Sequence, residues 1–98
     1  MNGTTNKKYQ ATAAANVVVA TGKAILHRIL IGKDVASSVI EVSDHASDGD
    51  VNVQIYLEGS TLLTSTGGVV EVGTIFEAGI CADLTNQTNV TFIWEPLV

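Results

Sequence analysis

Three carboxylates in one short segment, Asp44, Asp48 and Asp50, are the densest group of potential ligands in the chain. Carboxylates and backbone carbonyls on a flexible loop are what calcium requires, but the spacing is not that of an EF-hand and no Glu stands where the bidentate ligand belongs. Asp, Ser and Gly are equally the residues of a plain turn, and Asp48-Gly49 is a favoured hairpin dipeptide because glycine accepts positive φ. His45 adjoins the segment and His27 lies in an apolar run. With one of the aspartates the two imidazoles could hold a transition metal; the competing readings are a packed ring for His27 and a solvated one for His45. On this balance no metal and no cofactor is assigned.

The remaining candidate chemistry is sparse. Paired acids such as Asp48 and Asp50 could flank a glycosidic bond, yet a surface turn neither raises the pKa of one acid nor forms a cleft. Cys81 is the single cysteine, which excludes an internal disulfide and a cysteine metal cage. In Gly79-Ile-Cys-Ala-Asp-Leu, strand alternation puts Ile80, Ala82 and Leu84 on one face and Cys81 on the other, as a packed thiol without a base to activate it. No nucleophile motif frames either histidine. Asn2-Gly-Thr, Asn86-Gln-Thr and Asn89-Val-Thr fit the glycosylation acceptor pattern, but no cleaved leader is expected from the polar N-terminus. The chain reads as a protein that is not an enzyme.

What must position these residues is a succession of short strands. Val51, Val53, Ile55 and Leu57 alternate with polar residues, and Gly, Asn, Asp and Ser break the chain at short intervals. Residues 1–15 read as a partly extended N-terminal arm, and residues 16–98 as one domain. The segment Ala24 to Ile31 is apolar on both parities, with Ile25, Ile29 and Ile31 on one and Leu26 and Leu30 on the other, as expected of a strand covered on both faces. Ser38 to Ser43 and Val51 to Leu57 follow. A polar stretch from Glu58 to Gly68, holding Leu62 and Leu63, reads as a loop. Val69 to Val72 is the next strand, and Glu77 to Leu84 with Asn89 to Glu95 read as a last hairpin that Pro96 ends. The expected fold is an all-β antiparallel sandwich, jelly-roll-like, of about eight short strands. Its expected core is Ile25, Ile29, Ile40, Val42, Val53, Ile55, Val70, Ile80, Leu84, Phe92 and Trp94, leaving the Leu26 and Leu30 face over. That surplus is either an interface or is covered by the arm or a long loop.

Composition narrows the partners. The 98 residues suffice for one core. Only 15% are charged while 46% are hydrophobic, less charge than an ordinary soluble domain carries. The net charge of −5 disfavours nucleic acid, which is bound through displaced counterions. No apolar stretch approaches the roughly 20 residues of a membrane helix, so neither nucleic acid nor membrane is an expected partner.

The order Tyr9-Gln-Ala-Thr-Ala-Ala-Ala-Asn-Val-Val-Val, Gly22-Lys-Ala-Ile-Leu-His-Arg-Ile, Ile40-Glu-Val-Ser-Asp, Phe76-Glu-Ala-Gly-Ile and Asn89-Val-Thr-Phe resembles small β-sandwich virion proteins of tailed bacteriophages. The resemblance covers most of the chain and rests on short hydrophobic motifs. It implies a non-enzymatic capsid decoration, or cement, protein on the virion surface, a homo-oligomer with a trimer favoured, whose partner is the major capsid protein. Under that implication Tyr9 and the N-terminal arm reach an adjacent subunit, and Leu26, Arg28 and Leu30 pack in the interface. The alternatives are a head-fibre or tail-associated module that binds carbohydrate or host surface, and a neck or tail connector.

Overall fold

A computed structural model describes residues 6–11, 16–32, 37–58, 68–86 and 89–97. The strands are β1 (Lys7–Ala11), β2 (Asn16–Thr21), β3 (Ala24–Ile31), β4 (Val39–Asp44), β5 (Val53–Glu58), β6 (Val69–Phe76), β7 (Gly79–Thr85) and β8 (Val90–Pro96). They form two four-stranded antiparallel sheets, sheet A in the order β1-β8-β3-β6 and sheet B in the order β2-β7-β4-β5. The outermost strands of the chain pair with each other, then β2 with β7, β3 with β6 and β4 with β5, alternating between sheets. A long antiparallel ribbon wound on itself in this way is a jelly roll, so the expected all-β sandwich is what the chain builds.

Two expectations about connection need correction. The segment 7–11 is not an arm apart from the domain: β1 is hydrogen-bonded to β8, with Tyr9 opposite Phe92 and Ala11 opposite Val90. Nor do the last two strands form a hairpin. β7 lies in sheet B and β8 in sheet A, because each strand has two better-matched neighbours drawn from distant parts of the chain. Leu62 and Leu63 lie outside the described residues.

The core between the sheets holds Leu26, Ile29, Ile31 and Phe76 with Val90 and Phe92 from sheet A, against Ile40, Val42, Ile80, Ala82 and Leu84 from sheet B. Ile55, Val70 and Trp94 pack on it partly buried, as does Tyr9. Val53 and Ile25 are absent from this core, contrary to expectation. Val53 is exposed because a register shift between Val42 and Ser43 places it opposite Ser43, on the outer face.

Ile25 is displaced by a bulge in β3. Leu26 pairs with Trp94, but the next partners are Arg28 and Ile93, so His27 is an extra residue on the β3 side. An extra residue reverses which parity faces inward. Ala24 and Leu26 point into the core before the bulge, and Ile29 and Ile31 after it.

Loop 45–52 closes over the outer face of sheet B. The Gly49 amide donates to Asn16 Oδ1 at 2.7 Å, Asn16 Nδ2 donates to the Ser47 carbonyl, and the buried Ser43 hydroxyl donates to the Gly49 carbonyl. Gly49 lies so close to β7 that a Cβ there would stand 2.3 Å from the Ala82 carbonyl carbon. Close approach to β7, and not a positive φ, is therefore what demands glycine at this position. Gly49→Ala is expected to lift the loop and destabilise the domain by about 1–3 kcal/mol, the usual cost of overpacking, measured by urea denaturation. Phe92→Ala, which empties the centre of the core, is expected to cost about 3–5 kcal/mol in the same assay.

Candidate interaction surface

Sheet A turns one face to the core and the other outward, and the pairing register sets what the outer face presents. One row across the sheet runs Lys8, Ile93, Arg28, Glu71; the next runs Gln10, Thr91, Leu30, Val69. Beyond the bulge, Glu95, Ile25 and Ile75 form a third. Ile25 and Ile75 are direct cross-strand partners, as are Leu30 and Val69, so apolar pairs lie at both ends of the face. Ile75 is 49% exposed and Val69 39%. Between them Arg28 Nε donates to both carboxylate oxygens of Glu71 at 3.4 Å, and His27 Nε2 lies 3.1 Å from Glu95 Oε1. An antiparallel sheet that faced only water would alternate polar residues outward; here five aliphatic side chains point that way.

Of the four residues expected to form an interface, Arg28 and Leu30 lie on this face. Leu26 does not: it is 0% exposed, on the core side, because the bulge at His27 separates its facing from that of Arg28 and Leu30. Tyr9 also points inward, packing against the core from the edge strand β1. Ile25, Val69, Ile75 and Ile93 complete the apolar set and were not anticipated. Val69 and Ile75 share the parity of Glu71 in β6 and could have been read from it, whereas the facing of Ile25 together with Leu30 depends on a bulge that leaves no trace in a strand apolar on both parities.

At one end of the face Gln10, Leu30, Ile31, Gly32, Asn89 and Thr91 line an open depression of about 400 Å³. Among the described residues no ionisable side chain borders it.

The outer face of sheet B has the opposite character. Glu41 stands directly opposite Asp83, with Tyr56 opposite Glu41 on the other side. Like charges in direct cross-strand register repel. A hydrogen bond shared with Asp48 pushes the Asp50 carboxyl up, helped by the negative charges of Asp48, Asp83 and Glu41, while the same bond pulls Asp48 down. Tyr56 donates to Glu58 at 3.1 Å, and this bond, with the charges of Glu58 and Glu41, raises the phenol.

The residues singled out for metal or nucleophilic chemistry have other employment. Asp44 turns away from Asp48 and Asp50 and accepts the amides of Glu77 at 3.0 Å and Ala78 at 2.7 Å. His45 uses Nδ1 to accept the amides of Ser47 and Asp48. Cys81 is buried, and its thiol donates to the His45 carbonyl at 2.9 Å. Burial pushes the thiol pKa up and the charge of Asp48 adds to this, so it stays protonated and a poor nucleophile. His27 is on the other sheet, across the core from it. Among the described residues no group of three or more His, Cys, Asp and Glu is placed to hold a metal ion.

Comparison with known proteins adds no relative. No protein-family model, curated protein or solved structure matches this chain.

The bulge makes a sharp prediction. Leu26→Glu, which buries a carboxylate in the core, is expected to unfold the domain, whereas Leu30→Glu on the outer face is expected to change stability by about 1 kcal/mol or less; thermal unfolding followed by circular dichroism checks both. Asp44 gives a second. Partial burial pushes its carboxyl up, but the amides of Glu77, Ala78 and Gly79 outweigh this and hold it below the ordinary aspartate range. A lowered folded pKa means stabilisation that is complete above about pH 4 and lost as pH falls through the folded value. Asp44→Asn is expected to cost about 1–2 kcal/mol at neutral pH, a figure that allows for the group's partial exposure, and the gap to wild type should narrow in acid. Denaturant midpoints measured across that pH range provide the check.

Proposed function

We propose that this protein is a capsid decoration protein of a tailed-phage virion, a non-enzymatic component that stabilises the shell against which it packs. The observation that carries the reading is the outer face of sheet A, where five aliphatic side chains and a few charges replace the polar surface an isolated sandwich would show. Such a face is suited to burial against protein. A clamp of this kind needs no reaction, and many copies on one shell hold it together through individually weak sites at high effective concentration.

The segments that carry the resemblance to phage virion proteins meet in one place. The Asp44 that ends Ile40-Glu-Val-Ser-Asp receives the amides of Glu77 and Ala78 within Phe76-Glu-Ala-Gly-Ile. Gly22, which opens Gly22-Lys-Ala-Ile-Leu-His-Arg-Ile, donates its amide to the Ala78 carbonyl at 3.0 Å. Segments far apart in the chain thus form one joint. A carbohydrate-binding module would stack sugars on exposed aromatic rings, and of the five aromatic residues only Tyr56 is exposed.

Shells assembled from the major capsid protein of the same phage provide the test. The purified protein is expected to co-sediment with them at a fixed ratio and to raise their melting temperature, and Ile75→Glu is expected to weaken that binding at least tenfold while leaving the domain folded. Absence of wild-type binding to both expanded and unexpanded shells overturns the proposal.

A further inference from the structure

Sheet A has two edge strands, β1 and β6, and each presents a row of main-chain groups unpaired by another described strand. Such an edge is a template for a further strand. Sheet B also has two edges, but both β2 and β5 carry register shifts that break their regularity. β1 pairs with β8 without interruption over five positions, and the shift in β6 falls beyond Glu71, leaving Val69 to Glu71 regular.

The two edges of sheet A are opposite in charge. β1 carries Lys7 and Lys8 and no acid; β6 carries Glu71 and no base. Two copies of β1 side by side would bring lysines together, and two copies of β6 would do the same to glutamates. Only β1 against β6 is complementary. Direction agrees with charge: β1, β8, β3 and β6 alternate along the sheet, so the β6 of one copy and the β1 of another meet antiparallel.

We infer that β1 of one copy pairs with β6 of a second copy, head to tail, with Lys8 opposite Glu71 and Gln10 opposite Val69. This register continues the existing rows. Lys8, Ile93, Arg28 and Glu71 already lie in line across the sheet, as do Tyr9, Phe92, Ile29 and Val70. Lys8 and Glu71 both face outward, and Glu71, although 3.4 Å from Arg28, keeps its side chain 71% exposed. On the other face Tyr9 meets Val70, two side chains that each cover the core from its rim. The contact uses different surfaces on the two copies, so repetition gives a ring where the rotation per copy closes and a filament where it does not. The pairing is argued from the sheet edges alone and stands or falls apart from any role in a virion.

Size-exclusion chromatography with light scattering on the full chain tests it. Wild type is expected as an assembly of three or more copies. Lys8→Glu and Glu71→Lys are each expected to weaken assembly at least about tenfold, giving folded single chains, and the double reversal is expected to restore the oligomer. In an equimolar mixture of the two single variants, contacts between unlike chains pair opposite charges at both edges while contacts between like chains pair equal ones, so assembly is expected to return in even-numbered oligomers in which the variants alternate. Gln10→Cys combined with Val69→Cys supplies a readout that does not depend on charge. Within one chain these positions lie at opposite edges of a four-stranded sheet, roughly 14 Å apart, beyond the reach of a disulfide. Oxidation is therefore expected to link separate chains. A monomeric wild type, assembly indifferent to both reversals, or failure of the cysteine pair to cross-link between chains overturns the inference.

Discussion

The joint at Asp44 is the constraint on which the arrangement of the two sheets depends. Two of the points at which the chain crosses between sheets, the turn from β2 to β3 and the turn from β6 to β7, meet at Ala78. Its carbonyl takes the Gly22 amide, while its own amide and that of Glu77 end on the Asp44 carboxylate at the tip of β4. Backbone groups at a crossing leave the ladders and must find partners elsewhere. Charge-assisted bonds to one carboxylate meet that need for two amides at once. Gly79 completes the joint, for its φ of +153° and its closeness to the Ala20 and His45 carbonyls both exclude a side chain.

From that joint the two outer faces diverge. Loop 45–52 is drawn back over sheet B, hiding Ser43 and Cys81 beneath polar anchors and leaving a rim rich in carboxylates. Sheet A receives no such cover from the described residues, and its bulge at His27 sends Ile25 and Leu30 outward together with Arg28. One side is therefore negative and partly clad, and the other apolar with balanced charge. This difference gives the domain two distinct sides from a nearly symmetrical pair of four-stranded layers.

The alternation of Ile40 and Val42, and of Val90, Phe92 and Trp94, was enough to place their strands and their inward faces, because each had one apolar parity. The same rule failed on β3, where Leu26 and Ile29 both belong inside although an even spacing would be needed to put them on one face. Nothing in a run apolar on both parities marks where an extra residue enters. The supposed last hairpin failed for a different reason. Proximity in the chain favours pairing of β7 with β8, but the nested ribbon gives each a partner from the first half of the molecule. For the candidate surface, Arg28 and Leu30 were anticipated, and the parity of β6 and β8 carries Val69, Ile75 and Ile93; only Ile25 was hidden by the bulge. Asp44 invited a reading as ligand when its neighbours were counted along the chain; its true partners are 33 and 34 residues away.

The nested pairing also orders events in time. β4 and β5 are close in sequence and can meet early, whereas β1 needs β8, the most distant strand of the ribbon. Closing so long a loop is entropically costly, and folds dominated by such distant pairings form slowly. During translation β1 thus leaves the ribosome well before it can find its place. Until β8 is free, Tyr9 and Ala11 have no Phe92 and Val90 to cover, and the nascent chain carries an open sheet whose completion waits on that strand.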